Sequence, residues 1–246
     1  MADENCLICG GSGWKIVERA GLSGAERCQC SHPNRPQALQ QNANIPPNYQ
    51  NASLDSFELP RDNPIAASGL GNVLLQVRRF VREFPPADRP GLLLIGDPGA
   101  GKTHLAVGVM KALMEKGHEC VFFDYQNLIE RIRSGWDPAA GAGDREAYSQ
   151  ALETEVLVLD DLGAHRVVEW VQDTIESLIT QRCNHRKALI ATTNLPDPDV
   201  EDPLRRKTLA ESIGMRARSR LFEMCRVVRM PAIADYRVQH GRIVKI

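Results

Sequence analysis

The chain has 246 residues and a mass of 27.3 kDa, enough for one full core and a small additional module. A hydrophobic fraction of 43%, a charged fraction of 25% and a net charge of −1 are typical of an ordinary globular protein, and they give no reason to expect an acidic ligand. The charge is unevenly distributed, because residues 204–246 carry eleven Lys and Arg against three Asp and Glu. This excess of positive charge suggests that the C-terminal end contacts a binding partner.

Two further features concern location. No apolar run approaches the roughly 18 residues that a membrane helix needs, and the acidic residues 1–5 do not begin a signal peptide. Of the seven cysteines, Cys120, Cys183 and Cys225 stand singly in apolar or helical surroundings, where we expect buried, reduced thiols. We therefore predict no membrane contact and a cytoplasmic location.

Residue content divides the chain into three parts. Residues 1–32 hold four cysteines and too little apolar material for a core, so we expect a zinc-binding module there. Residues 33–63 are rich in Pro, Asn and Gln and predict a linker that leads into the next part. Residues 64–246 alternate helical and strand-like segments and predict a single α/β domain.

The spacing of apolar residues predicts the elements of this domain. Helices are predicted at residues 66–84, 103–116, 167–183 and 209–222, and strands at residues 92–95, 121–123, 156–159, 188–191 and 225–230. Short, uniformly apolar strands that alternate with helices indicate a parallel five-stranded sheet with helices on both faces. In such sheets ligands bind beyond the carboxyl ends of the strands.

A phosphate-binding loop follows the first of these strands. The segment matches the pattern G-x-x-x-x-G-K-[ST] and stands between an apolar strand and an amphipathic helix, as the pattern requires. The glycines let backbone N–H groups surround phosphate oxygens, Lys102 reaches the terminal phosphates and Thr103 binds Mg²⁺. The alternative is a Gly-rich turn that merely enters a helix. We expect nucleotide contacts from Gly96, Asp97, Pro98, Gly99, Ala100, Gly101, Lys102, Thr103 and His104.

Polar residues end two later strands. Asp160 and Asp161 follow the strand 156–159, and a buried strand has little use for two acids at its tip unless a cation or hydrogen bonds meet them. We expect Asp160 to hold Mg²⁺ and Asp161 to orient or deprotonate the attacking water. Asn194 ends the next strand and is expected beside that water. The alternatives are an acidic N-cap for the two acids and ordinary turn chemistry for Asn194.

Four N-terminal cysteines form a candidate metal site. Cys6 and Cys9 make a C-x-x-C pair followed by glycine, and Cys28 and Cys30 make a C-x-C pair. Four thiolates satisfy tetrahedral Zn²⁺, although His32 could replace Cys30 or Cys28. A redox dithiol and an iron–sulfur cluster are the alternatives. The module is either a docking element for a protein or DNA, or a stabilising cap.

Taken together, the phosphate loop, the Asp-Asp and Thr-Thr-Asn strand ends and the Arg-rich closing helix resemble AAA+ ATPases of the DnaC/IstB type. The resemblance covers about residues 46–237 and includes residues 45–57, the lead-in segment, which in that family lies near the nucleotide base. It implies a P-loop NTPase fold, ATP and Mg²⁺ as ligands, ATP-dependent self-assembly, and single-stranded DNA and a hexameric replicative helicase as partners.

The resemblance also suggests two functional arginines. Arg220 matches the family's arginine finger, which acts on a neighbouring subunit, with Arg216 as the alternative. Arg237 matches an arginine that senses the γ-phosphate within the same chain. For both, the alternative is a solvated basic face. The chain departs from most AAA+ ATPases in having Asp161 where they have Glu, and in leaving no room for a full C-terminal lid domain, since only 52 residues follow Asn194.

Three functions fit these features. The resemblance implies an ATP-hydrolysing helicase loader of the DnaC/DnaI kind. An IstB-like helper of a transposase shares the same motifs, although such helpers do not usually begin with a zinc module. A nucleotide-gated adaptor that hardly hydrolyses ATP is the third hypothesis.

Overall fold

A computed structural model describes residues 8–10, 12–19, 22–28, 39–86, 88–135, 142–166, 168–197, 207–236 and 238. Its strands are β1 (Trp14–Arg19), β2 (Leu22–Arg27), β3 (Gly91–Ile95), β4 (Cys120–Asp124), β5 (Val156–Asp160), β6 (Ala188–Thr193) and β7 (Cys225–Arg229). Its helices are α1 (Pro64–Glu83), α2 (Lys102–Glu115), α3 (Tyr125–Gly135), α4 (Ala142–Glu153), α5 (Glu169–Asn184), α6 (Leu209–Ile213) and α7 (Met215–Met224), and a 3₁₀ turn spans Pro47–Tyr49.

Strands β3 to β7 form one parallel sheet in the order β4-β5-β6-β3-β7. The predicted five-stranded parallel sheet is therefore confirmed. Strand β6, which comes late in the chain, lies between β3 and β5. This order brings the carboxyl ends of β3, β6 and β5 side by side, and these are the three strands that end in the candidate site residues.

Helices cover both faces of the sheet, as predicted. Leu92 and Leu94 of β3 point into a cluster with α1 and α2, whereas Leu93 and Ile95 point into a second cluster with helices α3 to α7. The same alternation holds along β5 and β6, because successive side chains of a strand face opposite sides. Burial on both faces explains why these strands are apolar throughout.

Two helices on the second face were missing from the sequence-based prediction. Helix α3 buries Tyr125, Leu128, Ile129 and Ile132, a spacing of three and four residues that is typical of an amphipathic helix. Helix α4 contributes mainly Ala147 and Ala151 to the core, and such small residues give a weak periodic signal.

The helix predicted over residues 209–222 is two helices. Gly214 separates α6 from α7 and has a φ of +87°, a conformation that interrupts a helix and that glycine adopts at little cost. Helix α6 begins with a reciprocal capping box between Thr208 and Glu211. Beyond β6, the described residues include these two short helices and β7, and they form no full lid domain.

The lead-in segment and the residues before it pack against the sheet domain. Ala43, Ile45, Ala52 and Leu54 are buried in the cluster that contains α1 and α2. The backbone N–H of Phe122 in β4 donates to the carbonyl oxygen of Ala43 at 2.8 Å. Four side chains of residues 39–63 are thus buried in the core, although the composition of this range predicts a linker.

The N-terminal part contains an antiparallel hairpin of β1 and β2, which the sequence did not predict. Of the expected zinc ligands, Cys9 and Cys28 are described, whereas Cys6, Cys30 and the alternative His32 lie outside the described residues. Among the described residues, no three His, Cys, Asp or Glu side chains form a group that could hold a metal ion.

The three single cysteines differ in exposure. Cys120 and Cys225 are buried, as expected, and burial raises the pKa of both thiols. Cys183 is only half-buried, because the end of α5 leaves part of its side chain accessible, so the expectation of full burial is wrong there. Within the described ranges, no helix combines the length and apolar content needed to cross a membrane.

Candidate functional site

The predicted phosphate loop connects β3 to α2 at the carboxyl edge of the sheet. Gly99 and Gly101 have φ values of +76° and +88°, left-handed conformations that favour glycine. Gly101 is also the N-cap of α2, so the loop leads directly into a helix N-terminus. A side chain at Gly101 would lie 2.6 Å from the ring of Phe57, which shows how closely the lead-in segment approaches this loop. The arrangement suits a phosphate chain, because backbone N–H groups and the helix dipole both favour an anion there.

Lys102 lies at the base of this loop and is only 5% exposed. Its Nζ donates to the carbonyl oxygen of Asp97 at 2.8 Å and to Oδ1 of Asn194 at 2.5 Å. A buried ammonium is costly unless it is hydrogen-bonded, and these two contacts hold it beside the loop. Lys102 thus lines the cleft beside the phosphate loop.

Asp160 is the predicted Mg²⁺ ligand, and it lies beside Thr103. The hydroxyl of Thr103 donates to Oδ2 of Asp160 at 3.1 Å, and the hydroxyl of Thr192 donates to Oδ1 at 2.6 Å. Burial raises the pKa of Asp160, while these two hydrogen bonds oppose that shift. A hydroxyl and a carboxylate at one point are oxygen donors of the kind that Mg²⁺ prefers, so this donor set fits the expected ion.

Asp161 and Asn194 complete the polar edge. Asp161 has a φ of +58°, and its backbone N–H donates to the hydroxyl of Thr192 at 2.9 Å. The Nδ2 group of Asn194 donates to the Asp161 carboxylate, while Oδ1 of Asn194 accepts from Lys102. A single amide therefore links the lysine of the phosphate loop to the acid proposed to act on water. The structure thus brings together Lys102, Thr103, Asp160, Asp161 and Asn194.

His104, in the first turn of α2, faces the lead-in segment. Its Nε2 lies 2.9 Å from the carbonyl oxygen of Ser53 and 3.2 Å from the hydroxyl of Ser56. Its ring meets that of Phe57 edge-on, with centroids 5.5 Å apart. Sequence reasoning placed His104 among the nucleotide-binding residues but missed these contacts with the lead-in segment.

These groups line one cleft of about 1180 Å³. Its walls are the phosphate loop, the strand ends with Asp124, Asp160, Asp161 and Asn194, the lead-in segment with residues 58–63, and residues from 233 to 236. A cleft of this size readily holds a ligand as large as a nucleoside triphosphate. Polar side chains line the cleft both at the strand ends and within residues 58–63, and Tyr49, Phe57, Leu59 and Leu70 add apolar surface.

The segment after β7 crosses the phosphate loop. The backbone N–H of Tyr236 donates to the carbonyl oxygen of Gly99 at 3.3 Å. Asp235 lies against the same glycine, since any side chain at Gly99 would overlap its carboxylate. The predicted γ-phosphate sensor, Arg237, lies outside the described residues.

The predicted arginine finger is not brought to the cleft of its own chain. Arg220 of α7 pairs with Glu223 at 2.7 Å, and Arg216 pairs with Glu176 at 3.5 Å; neither is among the described residues that line the cleft. Arg218, between them, makes a bidentate ion pair with Asp197 at 2.5 and 2.6 Å. Sequence reasoning did not separate Arg218 from its neighbours, although alternate residues of a helix face different directions.

At the N-terminus, the backbone of Gly13 is hydrogen-bonded to both described cysteines of the expected zinc site. Its backbone N–H lies 3.3 Å from Sγ of Cys9 and donates to it, and its carbonyl oxygen accepts from the N–H of Cys28 at 2.8 Å. The N–H directed at the Cys9 sulfur is a contact that a metal-bound thiolate accepts, whereas the contact at Cys28 involves only its backbone.

Comparison with known proteins supplies the family. A sequence model of the family described as "IstB-like ATP binding protein" matches residues 85–242. The chain is 30% identical over 142 residues to the uncharacterized protein YqaM of Bacillus subtilis, which covers 55% of this chain and 40% of YqaM. It is 21% identical over 164 residues to the replicative helicase loader DnaC of Escherichia coli, which covers 65% of this chain and 64% of DnaC. The chain thus spans less than two thirds of the length of either relative.

Solved structures show the same fold. A crystal structure of the DnaC helicase loader is 34% identical, with a TM-score of 0.64, over 76% of this chain and 100% of that chain. The crystal structure of DnaI is 21% identical, with a TM-score of 0.59, over 76% of this chain and 95% of that chain. The fold of the sheet domain is therefore that of these P-loop AAA+ proteins.

Proposed function

Because the chain belongs to the IstB-like ATP-binding family, we propose that it binds and hydrolyses ATP with Mg²⁺ in the cleft and thereby controls the loading of a replicative helicase onto single-stranded DNA. The observation that carries this proposal is the likeness to the DnaC helicase loader at 34% identity over 76% of this chain. The cleft supports the proposed ATP chemistry, and the likeness to the DnaC helicase loader supports the proposed role in helicase loading.

In the proposed cycle the phosphate chain lies in the loop of residues 96–103. Lys102 contacts the terminal phosphates, and Thr103 and Asp160 hold Mg²⁺, which when bound neutralises charge on the phosphate oxygens. Asp161 orients the attacking water or takes its proton. Asn194 holds the Asp161 carboxylate and Lys102 in their relative positions, as their hydrogen bonds indicate.

The N-terminal cysteines belong to the same proposal. We assign Cys6, Cys9, Cys28 and Cys30 to a structural Zn²⁺ site, and the module that they form to the contact with the helicase. The support is the pair of hydrogen bonds that Gly13 makes with Cys9 and Cys28. Arg220 and Arg237 are proposed to act on the γ-phosphate in a neighbouring chain and in the same chain, respectively.

A second candidate is an ATPase that assists a transposase. The observation that favours it is the IstB-like description of the family whose model matches residues 85–242. The two candidates share the cleft and differ only in the protein that the ATPase serves, so a binding experiment separates them.

The test is size-exclusion chromatography with light scattering on the full chain, mixed with the replicative helicase of the same organism, with and without ATP. We expect a complex of defined stoichiometry that depends on ATP, and zinc that co-elutes with the protein in metal analysis. Lys102→Ala should abolish the effect of ATP, whereas Lys207→Ala, which changes an exposed lysine outside the cleft, should preserve it. Cys28→Ser should release zinc and weaken the complex.

Two results would count against this proposal. If the wild-type chain bound ATP but formed no complex with the helicase in any nucleotide state, the transposase helper would become the better candidate. If the complex formed equally well without ATP and with Lys102→Ala, the nucleotide would not control loading.

A further inference from the structure

One face of α2 holds the lead-in segment along its length. His104, Gly108 and Lys111 lie on this face, four and three residues apart. The Nζ of Lys111 donates to the carbonyl oxygen of Gln50 at 2.5 Å. Leu54 crosses the helix at Gly108, where a side chain would come within 2.9 Å of the Leu54 backbone nitrogen. The helix that begins with Lys102 and Thr103 is therefore also the support of the lead-in segment.

The contact nearest to the phosphate loop is made by His104. The carbonyl oxygen of Ser53 can only accept a hydrogen bond, so Nε2 of His104 carries the proton in their 2.9 Å contact. The edge-on contact between the rings of His104 and Phe57 adds a second attachment, with an interplanar angle of 69°. One imidazole thus holds the lead-in segment at two points.

Phe57 also contacts the phosphate loop. Its ring lies on the backbone of Gly101, where even a methyl group would come within 2.6 Å of it. A ring that contacts both His104 and Gly101 fixes the distance between the lead-in segment and the phosphate loop.

The sheet order shows which part of a nucleotide would meet this segment. Asp160 ends β5, Asp161 follows it and Asn194 follows β6, all on one side of the loop after β3, whereas β7 and residues 233–236 lie on the other. Helix α1, which begins at residue 64 after the lead-in segment, lies on the β7 side, since a side chain at Gly69 would come within 3.1 Å of Pro231. With the terminal phosphates at Lys102 and Asp160, the nucleoside half extends along the lead-in segment.

We propose that His104 is a positioning residue, which through Ser53 and Phe57 holds the lead-in segment as the wall for the nucleoside half of the nucleotide. It sets the affinity for the nucleoside without contributing to the chemistry at the phosphates. This inference rests on the proposed binding of ATP in the cleft.

The test compares two ligands that share the phosphate chain. Binding of ATP and of inorganic tripolyphosphate to the full chain, with Mg²⁺, is measured by isothermal titration calorimetry, and ATP hydrolysis by steady-state kinetics. For His104→Ala we expect a Kd for ATP about tenfold higher, from the loss of one hydrogen bond and one ring contact. The Kd for tripolyphosphate and the kcat should stay within about twofold, because the phosphate contacts remain.

Three variants serve as controls. His104→Gln keeps an N–H donor at a similar reach and should recover most of the affinity for ATP. His118→Ala removes a histidine that also has a ring contact and a carboxylate partner, but lies outside the cleft, and should bind both ligands as the wild type does. Phe57→Leu removes the same ring contact from the side of the lead-in segment. Because His104→Ala removes that contact too, the double variant should raise the Kd for ATP by less than the product of the two separate increases.

The outcomes separate this inference from the proposed function. A wild-type chain that does not bind ATP would overturn the proposed function and this inference with it. If the wild type binds ATP but His104→Ala leaves ATP affinity unchanged, or weakens both ligands equally, His104 has no selective role toward the nucleoside. Should His104→Ala fail to fold, Phe57→Leu allows the same comparison, because it removes the ring contact from the side of the lead-in segment.

Discussion

At the scale of single residues, the site depends on one amide. Asn194 uses both ends of its side chain, accepting from Lys102 through Oδ1 and donating to Asp161 through Nδ2. A half-buried amide with both ends engaged has one preferred orientation, so it fixes the position of the loop lysine relative to that of the acid. The carboxylate of Asp161 is therefore held in place before any ligand binds, which suits a group that must orient a water molecule.

The substitution Asp161→Asn tests the proposed role of this acid. Asn tolerates the left-handed backbone at this position as well as Asp does, and its oxygen can still accept from Asn194. We expect binding of ATP to change by less than about twofold, and steady-state hydrolysis to fall by about 100-fold, the usual contribution of a general base. The measurements are nucleotide binding by fluorescence titration and phosphate release.

Asp124→Asn is the matched control for this substitution. Asp124 lines the same cleft, and its negative charge, like that of Asp161, raises the pKa of Asp160. Its side chain accepts from the backbone N–H of Asn127 at 3.0 Å at the start of α3, a role that Asn fills equally well. We expect its turnover to match that of the wild type. Unchanged hydrolysis in Asp161→Asn would instead favour an adaptor in which another group, or none, activates water.

Sequence reasoning found these residues because their spacing reflects local structure. A phosphate loop is a continuous segment, and acids at the tip of an apolar strand stand out from their surroundings. The contacts of His104 and the ion pair of Arg218 join residues that are distant in sequence, 51 and 21 positions apart. Such contacts depend on how the elements pack, so no local pattern of residues predicts them.

At the scale of elements, a buried arginine joins two helices on the second face to the strands of the sheet. Arg182 of α5 is fully buried, and its guanidinium donates to five carbonyl oxygens. These belong to Ala151, Leu152, Thr154, Glu155 and Ala188. They lie at the end of α4, in the turn before β5 and at the start of β6, so one side chain joins three elements. An arginine on a helix ordinarily indicates a solvated face, and this role could not be predicted from the sequence.

Replacing this arginine should lower stability markedly. Burial lowers the pKa of Arg182 to about 10, so the guanidinium remains protonated at neutral pH and all its contacts are charge-assisted. Arg182→Met removes the donors and leaves buried carbonyls without partners, which should reduce the free energy of unfolding by about 3 kcal/mol or more. Arg182→Lys keeps a charge with three donors but loses the planar guanidinium, so its free energy of unfolding should lie between those of the wild type and Arg182→Met.

Chemical denaturation followed by circular dichroism measures this effect. Arg82→Met is the control, because Arg82 is an exposed arginine in the last turn of α1, and its loss should change stability by less than about 0.5 kcal/mol. An Arg182→Met variant as stable as the wild type would show that water or rearranged backbone satisfies these carbonyls.

At the scale of the whole molecule, several parts of one chain line the cleft, but Arg220, the predicted arginine finger, is not among the described residues that line it. Arg220 is partly exposed and pairs with Glu223 three residues later. An exposed ion pair of this kind is weak, because water screens its charges, so Arg220 can exchange Glu223 for a stronger partner at little cost. Because Arg220 does not line the cleft of its own chain, it can assist ATP hydrolysis only if assembly places it in the cleft of a neighbouring chain.

This reasoning predicts complementation between two inactive variants. Arg220→Ala retains an intact cleft, whereas Asp161→Asn retains the arginine. Each alone should hydrolyse ATP slowly, and an equimolar mixture should recover about a quarter of wild-type turnover, because one in four random neighbour pairs combines both intact groups. Turnover of the mixture should also rise more steeply than in proportion to protein concentration, since assembly precedes hydrolysis.

Arg216→Ala distinguishes the two candidate fingers. Arg216 lies four residues before Arg220, is 86% exposed in its side chain and pairs more loosely with Glu176. If Arg220 is the finger, Arg216→Ala should hydrolyse ATP normally and give no additional recovery when mixed. If only Arg216→Ala is inactive and complements Asp161→Asn, the finger lies one turn earlier on α7. If both single variants keep wild-type turnover at low protein concentration, each cleft works within its own chain, and ATP-dependent assembly would then serve partner binding and not hydrolysis.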